Sequence, residues 1–133
     1  IDFDMLQTPH GKANAVAPTL AAMNHAYQLP PAMPVITGAA ATAPLPSGLP
    51  AAWPRAMFWL CMMNGAAGHT YGANGIWQCN RASQPHGASP TIGSPPTGYG
   101  TIPWNEAMHL PGSQQIGDAK KFLEKFGSRL YLE

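Results

Sequence analysis

The chain has 133 residues and a formal net charge of +1, and 10% of its residues are charged, against a usual share of about 25%. That length supports one modest domain, which buries roughly two-thirds of the surface its unfolded chain exposes. The late lysines Lys120, Lys121 and Lys125 suit the solvated side of a terminal helix, not the basic stripe of a nucleic-acid site, and no apolar run is long enough to span a bilayer, so neither nucleic acid nor membrane is an expected partner.

The predicted elements run as follows. Asp2–Gln7 alternates and carries Phe3, Met5 and Leu6, the pattern of a strand ended by Thr8-Pro9-His10-Gly11. Val16, Leu20, Met23 and Tyr27 recur at spacings of three and four, which predicts a helix from Val16 to Leu29 with Pro18 in its first turn and Pro30-Pro31 as its stop. Met33–Thr37 is a short second strand. The Ala-, Pro- and Gly-rich stretch Gly38–Pro50 has no period and reads as a loop. Ala51–Asn64 is apolar almost all round, so it is a helix covered on more than one side. Small residues then lead into a third strand around His69-Thr70-Tyr71, and Ile76-Trp77-Gln78 is expected to continue the core. Gln84–Pro103 reads as a second long loop. One or two helical turns follow at Trp104–Leu110. A last helix occupies Pro111–Phe126, with Ile116, Ala119, Phe122 and Phe126 on one face and Gly127 closing it.

Strands separated by helices predict an α/β fold with a parallel sheet. Three such units are too few to close a barrel, which takes about 250 residues for eight. The low charge agrees, since it suggests a surface covered by another chain or segment. The start, Ile1-Asp2-Phe3-Asp4, has no initiator methionine and no basic or apolar leader pattern, so further sequence upstream is expected.

Chemistry is constrained most by the acids. They are Asp2, Asp4, Glu106, Asp118, Glu124 and Glu133, and none lies between Asp4 and Glu106. Cys61, in the run Met57–Met63, reads as a buried free thiol. Cys61, His69, Cys79 and His86 are too scattered for a zinc set, and no metal or cofactor site is expected.

The segment Ala66-Ala67-Gly68-His69-Thr70-Tyr71-Gly72-Ala73-Asn74-Gly75-Ile76-Trp77-Gln78 resembles the signature of the apiosidase-like catalytic domain, found in family 140 glycoside hydrolases. Pro85-His86-Gly87-Ala88-Ser89-Pro90, Tyr99-Gly100, Pro103-Trp104-Asn105-Glu106-Ala107 and Leu110-Pro111-Gly112-Ser113 follow in the family's order, and Asp2–Gln7 with His10-Gly11 is similar to an earlier strand. The resemblance is strong over residues 57–119 and weak over 38–56. It implies the C-terminal part of a (β/α)8 TIM barrel, about three βα units, whose last strands are the runs at 2–7, 33–37 and 67–71. It also implies retaining hydrolysis of plant or microbial polysaccharide by two carboxylates, and a secreted or periplasmic setting.

The family usually reads Asn-Gly-Glu-Pro, or close to it, after the seventh strand. Here that segment is Thr37-Gly38-Ala39-Ala40, so Ala39 stands at the expected nucleophile position and the carboxylate is missing. The strand that carries the acid/base corresponds to sequence before Ile1. Three accounts stay open: a relative that only binds glycan, a portion whose partner chain or segment supplies the rest of the barrel, or a stretch at 38–56 in which alanine stands where longer side chains belong. Carbohydrate is the expected ligand. Gln7, His10, His69, Tyr71 and Trp77 are its expected contacts, because they should lie at or beyond the C-terminal ends of strands, where barrel sites form. His86 and Tyr99 read as loop residues, and His25 and His109 as structural ones. Asp4 is expected to face the barrel interior as a paired polar group.

Overall fold

The computed structural model describes residues 2–8, 13–43, 51–84 and 101–130, with the backbone alone described at 39–43 and 128–130. Three parallel strands form its sheet, in the order β1 (Asp4–Gln7), β2 (Val35–Ala43), β3 (Gly68–Ala73). A short 3-10 turn (Ala13–Ala15) leads into α1 (Val16–Gln28), which connects β1 to β2, and α2 (Ala52–Met63) connects β2 to β3. The short α3 (Trp104–Ala107) and the long α4 (Pro111–Leu130) complete the chain. The α/β class and the parallel pairing expected from the sequence are therefore present, in a sheet of three strands.

α1 ends where Pro30 forces its predecessor out of helical geometry: Leu29 has φ −81° and ψ 131°. Its buried stripe is Thr19, Met23 and Ala26, about one residue off the expected face, so Tyr27 sits at the rim and its hydroxyl donates to the Gly65 carbonyl. α2 buries Pro54, Met57, Phe58 and Cys61, one helical stripe, against the sheet. Its Trp59 packs edge-on against Phe122 of α4 at 5.8 Å, so α2 is covered on two sides, as its composition requires. Met23, Ala26, Val35, Cys61 and Ala66 form one core cluster, with Leu6 and Met62 against it. Both crossover helices thus lie on the same face of the sheet.

The strand alternation sorts every other side chain. Leu6, Val35 and Thr37 face the helices. Met5, Ile36, Gly38, Gly68 and Thr70 face away: a Cβ at Gly38 would lie 3.5 Å from the Met5 methyl and 3.8 Å from the Thr70 hydroxyl, and one at Gly68 would lie 3.5 Å from Ile36. That second face has no covering layer among the described residues, and Met5 is 58% exposed on it.

Four expectations are corrected. β2 does not stop at Thr37 but runs to Ala43 through the predicted loop: β1 pairs with it only as far as Gly38, and beyond that β3 supplies ladder partners at Gly72 and Ala73 to a sequence with little strand propensity of its own. Gly127 does not close the last helix. α4 continues to Leu130 with Gly127 buried on its packed face, behind Gly112, Ile116, Ala119 and Leu123. The segment at 76–78 does not continue the core, since only Gln78 is buried and Ile76 and Trp77 stand out on a turn. Asp4 does not point toward the uncovered face, because it shares Leu6's side of β1 and is half-buried beside the helices.

Candidate functional site

β2 is irregular where the resemblance expects the nucleophile. Gly38 pairs with Thr70 and Thr42 with Gly72, so β2 advances four residues while β3 advances two. Ala39 falls inside this bulge. Bulges re-aim a strand and occur often beside active sites. Among the described residues no acid accompanies it: Asp118 and Glu124 are exposed on α4, paired with Lys121 at 3.7 Å and Lys120 at 2.6 Å, Glu106 is exposed on α3, and Asp2 lies just before β1 and Asp4 at its start, where Asp4 pairs with Val35. Among the described residues no His, Cys, Asp and Glu gather in a group that could hold a metal ion.

Those expected carbohydrate contacts that lie among the described residues do not share one surface. Gln7, last residue of β1, is exposed and alternates onto Met5's uncovered face. His10 lies outside the described residues, as do His86 and Tyr99. His69 is the second residue of β3, not one at its C-terminal end, and it points into the helix layer. Its Nδ1 is 2.8 Å from the Thr37 hydroxyl, and its ring meets Phe58 edge-on at 5.5 Å. Burial lowers its pKa to about 4, so the imidazole is neutral at neutral pH. Thr37 also reaches Cys61, whose thiol burial pushes upward and this hydrogen bond partly offsets. Tyr71 points the same way as His69. Its hydroxyl is buried without a hydrogen-bond partner against the start of α4, where only Gly112 leaves it room: a Cβ there would lie 2.8 Å from the oxygen. Burial raises that phenol's pKa. Beside His69, a cavity of about 320 Å3 opens between β3, α2 and α4, lined by Phe58, Met62, Ile116, Leu123 and the Lys120–Glu124 pair. It lies on the helix side of the sheet.

Trp77 alone of the described aromatics in the signature stands at the C-terminal end of β3 with its ring exposed. The turn that carries it is built from buried amides that were not among the expected contacts. Asn74 and Asn80 are fully buried and Gln78 nearly so. The Trp77 indole N–H donates to Asn74 Oδ1 at 3.1 Å, and the Gly75 N–H donates to Gln78 Oε1 at 2.6 Å. The available signal was polar residues spaced around a glycine directly after a strand, the composition of a turn that must satisfy its own backbone.

The profile of the apiosidase-like catalytic domain matches residues 1–128. The chain belongs to the apiosidase-like catalytic domain family. No curated protein matches it. As an apiosidase-like catalytic domain the chain is glycoside hydrolase-like, which points to carbohydrate as its substrate class. The apiosidase-like signature spans β3 and the 74–79 turn, so it encodes two different things. His69 and Tyr71 within it pack the helix layer, and Asn74–Gln78 shape the strand's C-terminal end. No helix among the described residues is long and apolar enough to cross a membrane.

Proposed function

We propose that this chain is part of a glycoside hydrolase-like protein acting on plant or microbial polysaccharide, and that it contributes one sector of a (β/α)8 barrel without a catalytic carboxylate. The observation that carries this reading is the uncovered face of the parallel sheet. It presents Met5, Gln7, Ile36 and Thr70 and, among the described residues, no acid. Two further facts support it. Both outer strands have an unpaired edge among the described residues, and an unpaired edge beside an uncovered apolar face calls for further strands. Retaining cleavage takes two carboxyl groups about 5–5.5 Å apart, and Ala39 stands where one of them belongs.

The test is titration with plant cell-wall oligosaccharides, following both binding and release of reducing ends. Binding without release is the expected result. Release by this chain alone would refute the carboxylate argument, and absence of binding would refute the carbohydrate reading.

A further inference from the structure

After β3 the chain closes a compact turn. The Cys79 N–H donates to the Ile76 carbonyl and the Asn80 N–H to the Gly75 carbonyl, both at 2.9 Å. The turn is also fastened to the segment before α3: Asn80 Nδ2 donates to the Ile102 carbonyl at 3.2 Å, and the Trp104 N–H donates to the Asn80 carbonyl at 2.9 Å. Gly75, at φ +98°, lies so close to this segment that a Cβ would meet the Ile102 carbonyl oxygen at 2.6 Å. One large ring projects from the frame. Trp77 is 46% exposed, and its indole N–H is anchored on the fully buried Asn74.

This arrangement fixes an apolar plate. The indole has a single donor, which is used inside the protein, and that bond restrains the ring's torsions. The exposed part of the ring is apolar surface with no polar group to satisfy, the kind of surface that packs on the C–H face of a sugar ring. A ring already held in place avoids the ordering cost that a mobile side chain meets on binding, a cost equivalent to about two- to tenfold in affinity. We propose, on the reading that this chain binds carbohydrate, that Asn74 is a positioning residue that holds Trp77 as a sugar-stacking platform at the C-terminal end of β3.

The test combines indole NMR with binding of a mixture of xylan- and pectin-derived oligosaccharides. Trp77→Phe identifies the Trp77 N–H signal among those of the four tryptophans. Asn74→Ala is expected to shift that signal and hasten its solvent exchange while leaving those of Trp53, Trp59 and Trp104, and to weaken oligosaccharide binding by about two- to tenfold. Asn74→Asp keeps the acceptor oxygen and is expected to restore both. Trp77→Ala should weaken binding further than Asn74→Ala does. Should Asn74→Ala fail to fold, benzothienylalanine at position 77 removes the donor and keeps the ring, with the same loss expected. Wild-type binding that neither change weakens, or an unmoved Trp77 signal in Asn74→Ala, overturns the positioning role. No binding by the wild type overturns the carbohydrate reading and the platform together, a result distinct from the first because the NMR comparison still reports whether Asn74 holds the ring.

Discussion

His69 illustrates how a motif residue acquires its role from the strand it sits on. Its expected place at the C-terminal end of a strand suggested a residue free to meet ligand. Strand alternation instead turns it toward α2, where the Thr37 hydroxyl and the Phe58 ring hold it. The pH consequence follows directly. The folded-state pKa is about 4, against 6.5 when the ring is free. Between those values the unfolded chain takes up a proton that the folded chain refuses, so folding stability falls as pH drops through that window and is insensitive to His69 above it. Urea midpoints at pH 7 and pH 5 should show the loss, and His69→Gln should reduce the difference. The two cysteines give a second check. Cys61 is buried and Cys79 exposed, and both are free, so a thiol reagent should label one site in the native protein and two after denaturation. The buried thiol was legible from its apolar surroundings. The Cys61–Thr37–His69 contact was not, because its members come from three elements separated in sequence and meet only once the sheet forms.

At the scale of elements, the helices and the first and third strands were legible because apolar spacing and proline stops are local signals. β2 was only half legible. Its second half, Gly38–Ala43, is Gly, Ala and Thr, with nothing to announce a strand. It is extended because Gly72 and Ala73 offer it a ladder, an instance of tertiary pairing overriding weak propensity. Two glycines test how the elements are joined. Gly75→Ala places a Cβ in the left-handed region and against the Ile102 carbonyl and the Ala107 methyl. The expected cost is about 2 kcal/mol or more, read as a lower melting temperature together with weaker oligosaccharide binding, since the turn also carries Trp77. Gly117, inside α4, has nothing within 4 Å of a Cβ position. Gly117→Ala should therefore raise stability by about 0.5–1 kcal/mol through helix propensity alone, with binding unchanged. A destabilised Gly117→Ala would mean that α4 packs against something more than α2 and β3.

At the scale of the whole molecule, the two faces of the sheet are the central contrast. One is sealed by α1, α2 and the cluster around Met23 and Val35. The other exposes Met5 and Gln7 and has no acid among the described residues. The sequence already indicated half of this, because no acid occurs between Asp4 and Glu106, but which face each strand residue takes depends on register and could not be read from composition. A retaining mechanism divides its work between a nucleophile and an acid/base, and either alone leaves the oxocarbenium-like transition state without its anion or without its proton donor. On the proposed reading, adding one carboxylate at residue 39 should therefore be insufficient. Ala39→Glu, at the bulge of β2, is expected to leave reducing-sugar release at background in this chain, whatever its effect on binding. If the proposed barrel reading holds, the informative comparison adds the same substitution to a polypeptide that also carries the further strands it calls for: release there, and none in this chain, would mean that the second carboxylate comes from a neighbouring sector. Release by Ala39→Glu in the short chain itself would require a second carboxylate within reach of residue 39, and the acid-free description of the uncovered face would then be wrong.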